Sequence, residues 1–328
     1  MHSMNQVKRQ HNSHHQSISQ PNSISQREQT SVSHLPSSTQ SKNSCKSNQY
    51  HALWISDVHL GTPDCKAEFL LQLLEQAQCD YLYLVGDIVD IWALKRRVYW
   101  PEPHQRVLQK IMQIAADTDT QVFYIPGNHD EAFKAYSDSY FRGITIKQEH
   151  MHVSKQGKRC LLIHGDQFDS EVGIHPFYAK LGDRLYDVLL WLNRGLHKAR
   201  SLFGYSYWSL AGYVKQRVSK AQAAINQFKT AALAYGRKQG ADLVVCGHIH
   251  QPELSHNLIN DRAIIYANDG DWVENCTVIA ECPSGDFHLL KWEEKLSGLK
   301  PLSSIMFSIS QSNEIEPTKP QQGDRHVA

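Results

Sequence analysis

The stretch QVFYIPGNHDE, residues 121–131, passes from an apolar, β-branched and aromatic run through Pro-Gly into Asn128, His129 and Asp130, three side chains that bind metals or move protons. Such a run reads as a buried strand ended by a tight turn. The same design recurs along the chain. ALWIS (52–56) opens into Asp57-Val58-His59, YLYLV (81–85) into Gly86-Asp87, CLLI (160–163) into His164-Gly165-Asp166, and DLVVC (242–246) into Gly247-His248-Ile249-His250. AIIYA (263–267), CTVIA (276–280) and FHLL (287–290) add further strands.

Helical spacing fills the intervals. Phe69, Leu70, Leu73, Leu74 and Ala77 share one helical face after the first strand, and Val107, Leu108, Ile111, Met112 and Ala115 share another before the third. Strand–helix–strand alternation specifies crossover units and a layered α/β domain. Between 174 and 235 the pattern turns helical and aromatic, which predicts an inserted helical subdomain. The folded domain is expected over 49–295. The Ser/Gln/His-rich segment 1–48 is expected to be disordered and 296–328 to be a polar C-terminal tail, because neither holds enough apolar side chains to offset chain entropy.

Composition narrows the function. With 34 basic and 33 acidic residues the net charge is +1, so no global field draws the chain to nucleic acid, and none is expected as a partner. Seven scattered cysteines without a CxxC spacing argue against a disulfide framework or a zinc ribbon and read as reduced thiols of a cytoplasmic protein. The N-terminal segment lacks the apolar core of a leader peptide. DVLLWL (187–192) falls far short of the roughly 20 residues needed to span a bilayer. A soluble protein, or one resting on the cytoplasmic face of the inner membrane, is expected.

Singly, each strand-end residue is compatible with a cap, a turn or a core histidine. Five strands that all release Asp, Asn or His at their carboxyl ends place those groups on the edge where open α/β sheets bind ligands. Asp57, His59, Asp87, Asn128, His164, His248 and His250 form a set suited to two divalent ions. A pair of ions about 3.5–4 Å apart needs a bridging carboxylate plus imidazole and oxygen donors, and such ions acidify water and polarise a phosphoryl oxygen. Oxygen and imidazole donors without thiolate favour Mn²⁺, Fe²⁺ or Zn²⁺. Residues two apart on an extended chain point the same way, so Asp57 joins His59 and His248 joins His250.

DVH, GD, GNHD, HGD and GHIH, in that order across about 51–295, resemble the signature of calcineurin-like metallophosphoesterases. Within that superfamily the chain is similar to the UDP-2,3-diacylglucosamine pyrophosphatase family, which releases 2,3-diacylglucosamine 1-phosphate and UMP in lipid A biosynthesis. The resemblance implies a four-layered α/β/β/α sandwich, with the helical insertion as a lid around acyl chains. It also implies two metal ions, usually manganese: Asp57, His59, Asp87 and His250 for one, Asp87, Asn128, His164 and His248 for the other. Acids follow HGD closely, at Asp169 and Glu171, and Asp169, Lys215, Arg217 and Lys220 are candidate substrate contacts.

One position departs from the lipid A enzymes, which carry Arg where this chain has His129. Arginine is a fixed cation, whereas histidine can also protonate a leaving oxygen, with Asp130 placed to hold its tautomer. His129 and Asp130 are therefore the catalytic candidates. NDGDWVE (268–274) reads either as a polar turn or as a source of outer support from Asn268 or Asp271. The expected substrate is a phosphorylated, lipid-linked nucleotide. The competing readings are a phosphodiesterase acting on a soluble substrate and a non-catalytic scaffold of the same fold.

Overall fold

Burial along the first strand shows the layering. In β1 (Gln49–Ile55), Leu53 and Ile55 face one apolar cluster while Ala52 and Trp54 face another. The alternation repeats in β2 (Gln78–Leu84), where Leu82 and Leu84 join the first cluster and Tyr83 the second. A strand buried on both faces is sandwiched between layers. These observations come from a computed structural model that describes residues 48–170, 192–198, 200, 202–203 and 219–307.

The first cluster is closed by two helices, α1 (Ala67–Gln76) and α3 (Glu102–Asp117); a short α2 (Ile91–Arg96) lies between them in sequence. In α1 the buried positions Ala67, Leu70, Leu71 and Leu74 follow helical spacing. Pro101 at the N-cap and Pro103 in the first turn start α3 where a missing N–H costs nothing. β1, β2 and β3 (Gln121–Tyr124) are parallel neighbours, so their carboxyl ends share one edge.

The first sheet has eight strands in the order β13-β12-β11-β1-β2-β3-β5-β4. Here β4 is Tyr140–Phe141, β5 Ile144–Ile146, β11 Thr277–Glu281, β12 Phe287–Glu293 and β13 Gly298–Ile305. The second sheet has the order β6-β7-β8-β10-β9. Its strands are His150–Val153, Arg159–Leu162, Leu243–Cys246, Arg262–Asn268 and Glu253–Ile259 respectively. The middle cluster fills the space between the sheets through Trp54, Tyr83, Leu162, Val245, Ile265 and Phe287. α4 (Ser219–Lys238) covers the far face of the second sheet, where Phe228, Ala232 and Leu233 meet Leu161, Val244 and Tyr266. Helices, sheet, sheet, helix is the α/β/β/α order.

Three expectations are corrected. Residues from 298 onward do not begin as a tail: β13 pairs with β12 as an edge strand, half exposed and therefore polar enough to read as loop. The helical insertion does not reach 235 as a separate subdomain, because α4 from Ser219 onward is an integral outer layer. The ligand-bearing strands are divided between two sheets rather than sharing one. Cys65, Cys79, Cys160, Cys246 and Cys276 are free thiols.

Candidate metal centre

Asp57 and His59 leave the end of β1, Asp87 the end of β2, and Asn128 the turn after β3, all on the first sheet's carboxyl edge. His164 follows β7, and His248 and His250 follow β8, on the second sheet. The facing edges bring these side chains together. Asp57, His59 and His250 offer donor atoms all within 4.8 Å of one another, and so do Asp87, His164 and His248. Asn128 Oδ1 lies 3.2 Å from His164 Nε2, and Asp87 Oδ2 lies 3.4 Å from the same nitrogen.

The backbone is contorted to achieve this. Asp57, His59, Asp87, His248 and His250 all have φ between 49° and 70°, the left-handed region that L-residues enter at a cost. Close approach also excludes side chains nearby. A Cβ on Gly127 would lie 2.3 Å from Asp87 Oδ1, and one on Gly247 would lie 2.3 Å from Asp57 Oδ2.

The donor set fits divalent cations. Asp57 Oδ1 is buried with no hydrogen-bond donor, beside His250 Nε2 at 3.0 Å, while the Nε2 atoms of His59 and His250 face each other at 3.3 Å. Two inward nitrogens and an orphaned carboxylate oxygen describe a cation's surroundings better than a hydrogen-bond network. Outer atoms are already committed: His164 Nδ1 faces the Val85 carbonyl at 2.9 Å and His59 Nδ1 faces Asp90 Oδ2 at 3.1 Å. Without a metal the charges compensate one another. Burial pushes the Asp57 carboxyl up, but the His250 ring overrides it and holds the group at about 2. Burial pushes His59 down, but Asp90, with Asp87 and Asp57, raises it to about 9. Asp87 is held below the usual carboxylate range, chiefly by His164 against the effect of burial.

His129 sits beside these groups, its ring edge-on to His59 with centroids 4.7 Å apart and against Trp92 at 4.4 Å. Asp130 does not hold it. The Asp130 carboxylate is buried and accepts from the amides of Gly127 at 2.6 Å and Ile88 at 2.8 Å, tying the turn after β3 to the loop after β2. The His129 partner is Asp90, whose Oδ2 lies 3.0 Å from Nδ1. Asp90 escapes a sequence reading because an acid three residues past Asp87 looks like a helix cap, which it also is: Oδ1 accepts from Ala93 N at 2.6 Å.

Asp169 reaches a candidate ligand, with Oδ1 2.6 Å from His248 Nε2. Lys215 and Arg217 lie outside the described residues, as does the side chain of Lys220 in the first turn of α4. The 268–274 loop is buried support rather than a polar turn. Asn268 donates to the Gly247 carbonyl at 2.7 Å and Asp271 Oδ2 lies 3.9 Å from His250 Nδ1. Asp269, unmarked by sequence, lies 2.6 Å from Ser56 Oγ, which lies 2.5 Å from Asp57 Oδ2, so the one hydroxyl proton is shared within this carboxylate–hydroxyl–carboxylate chain.

Residues 50–252 match the calcineurin-like phosphoesterase family. The chain belongs to that family. It is accordingly a metal-dependent hydrolase, and the His/Asp groups described above are candidates to hold divalent metals. Among similar proteins, the UDP-2,3-diacylglucosamine hydrolase of Edwardsiella ictaluri is 27% identical over 252 residues, covering 73% of this chain and 91% of that protein. The protein of the same name from Stenotrophomonas maltophilia is 26% identical over 240 residues, covering 69% and 93%. No helix among the described residues is long and apolar enough to cross a membrane.

Proposed function

We propose that this phosphoesterase hydrolyses the pyrophosphate of UDP-2,3-diacylglucosamine, or of a related lipid-linked nucleotide, in lipid A biosynthesis. The supporting observation is that relatives bearing that name match the chain over more than nine-tenths of their own length, together with the seven donors gathered between the sheet edges. The two ions, in this reading Mn²⁺, are assigned to Asp57, His59, Asp87 and His250 and to Asp87, Asn128, His164 and His248. When bound they would acidify water and neutralise phosphoryl charge.

The chain's own residues then orient and protonate. Asp90 Oδ2, 3.0 Å from Nδ1, is the acid beside the His129 ring, and in this reading Nε2 serves the leaving phosphate oxygen. Trp92, 41% exposed against that ring, gives the mouth an apolar wall. A substrate with acyl chains also suits the exposed Leu202 and Phe203 of the insertion, 81% and 79% accessible with Arg200 close in sequence, which would let the protein rest on the cytoplasmic face of the inner membrane.

His129 in place of arginine favours a second reading, a phosphodiesterase or nucleotide pyrophosphatase acting on a soluble substrate. One assay separates the two. Detergent-solubilised UDP-2,3-diacylglucosamine with Mn²⁺ should yield UMP; rapid cleavage of a small diester without UMP release would replace the first reading with the second.

A further inference from the structure

His51 of β1, Glu281 of β11 and His152 of β6 are all buried and face one another. One nitrogen of each imidazole and one Glu281 oxygen lie within 4.8 Å of one another. β1 and β11 are neighbours in the first sheet, with Ala52 opposite Glu281, whereas β6 is the edge strand of the second. The cluster therefore bridges the sandwich. His51 precedes Asp57 by six residues, about 20 Å of extended chain, so this is not the centre described above.

We propose that His51, His152 and Glu281 bind a zinc ion that staples the two sheets together. The outer nitrogens are already oriented. His51 Nδ1 lies 2.7 Å from Asp80 Oδ2 and His152 Nδ1 lies 2.8 Å from the Tyr83 hydroxyl. An oxygen partner on one ring nitrogen fixes the tautomer and leaves the other nitrogen to a metal. His152 Nε2 already faces Glu281 Oε2 at 3.1 Å.

Charge points the same way. Glu281 is fully buried, and its Oε1 accepts only the Lys155 amide at 2.7 Å among the described contacts, while the Lys155 ammonium lies 3.6 Å from Asp80 instead. The partner of the Glu281 carboxylate is the His152 ring at 3.1 Å; a divalent ion held between them would supply the positive charge in place of a proton. Trp54, Tyr81 and Tyr83 stand edge-on to the His152 ring with centroids 5.2–5.5 Å away, which fixes that ring in a dry wall. Two imidazoles and one carboxylate, with a fourth position for water, are a tetrahedral zinc set; manganese prefers more oxygen donors.

Metal counting on the full chain tests this. After chelation and zinc reloading, His51→Gln should carry one zinc fewer per chain than wild type, and its Mn²⁺-dependent hydrolysis of whichever substrate the wild type cleaves, UDP-2,3-diacylglucosamine or a small diester, should stay within about twofold of wild type. Equal zinc content in the two proteins, or loss of hydrolysis in a folded variant, overturns the proposal. Anomalous scattering at the zinc edge from zinc-loaded wild-type crystals does not depend on how the variant folds. A peak about 2.0–2.2 Å from the three donors is expected, and its absence overturns the site.

Discussion

Asp90 lies beside two histidines, His59, grouped with Asp57 and His250, and His129, proposed to face the substrate. Asp90→Asn should therefore lower metal affinity and turnover together, by about 10–100-fold, as for outer partners of metal-binding histidines in general. Metal titration beside steady-state kinetics measures both. His129→Ala should behave differently, with turnover falling by about 10²–10⁴-fold while metal content stays near wild type; loss of an ion would make His129 a ligand. Asp87→Ala should abolish activity and metal retention together, and retained turnover would refute its bridging role. The contrast explains what the residues disclosed. Asp57, Asp87 and His164 stand at strand ends, where residue type and position both signal chemistry. Asp90 and Asp269 act through other side chains, and nothing in their local sequence names their partners until the loops are folded together.

Elements were legible in proportion to their apolar content. Strands buried on both faces, such as β8, announce themselves as unbroken runs. β5, β6, β9 and β13 are short or half exposed and carry polar and histidine residues, so they vanish into apparent loops. α4 was misplaced because helical spacing alone does not say which sheet a helix covers. Its Phe228 is fully buried, with its ring 5.8 Å from that of His248. Phe228→Ala should cost about 3–5 kcal/mol of stability, read by denaturant unfolding. β6 brings a pH effect. His150 stacks on Phe123 at 4.3 Å, and burial, with the His152 and Lys147 charges, pushes its ring down to about 4. Above pH 6.5 both folded and unfolded chains leave it neutral. Between 6.5 and 4 the unfolded chain takes the proton that the folded one refuses, so stability falls with acid. His150→Phe should flatten that part of the profile of unfolding midpoint against pH.

For the whole molecule, metals at the proposed centre would join two sheets that also meet through apolar side chains and through the polar contacts of His152 with Tyr83 and Glu281. Chelation should abolish activity and lower the melting temperature; restoring Mn²⁺ should recover activity, and zinc together with Mn²⁺ the full melting temperature. In the metal-free protein His59 is raised to about 9. Its contribution to stability is complete below the unfolded value near 6.5 and disappears as pH climbs through about 9. His164 is likewise raised by Asp87 against the effect of burial, so loading at pH 7 should expel protons and affinity should rise with pH across that window, measurable by calorimetry in buffers of different ionisation enthalpy. The left-handed backbone at Asp57, His59, Asp87, His248 and His250 carries a last consequence. A side chain in that conformation costs roughly 1–2 kcal/mol, which glycine escapes. The centre is thus assembled at five places where foldability alone would select a residue with no side chain. A search for thermostable variants scored on melting without metal would tend to erase the enzyme while preserving its shape.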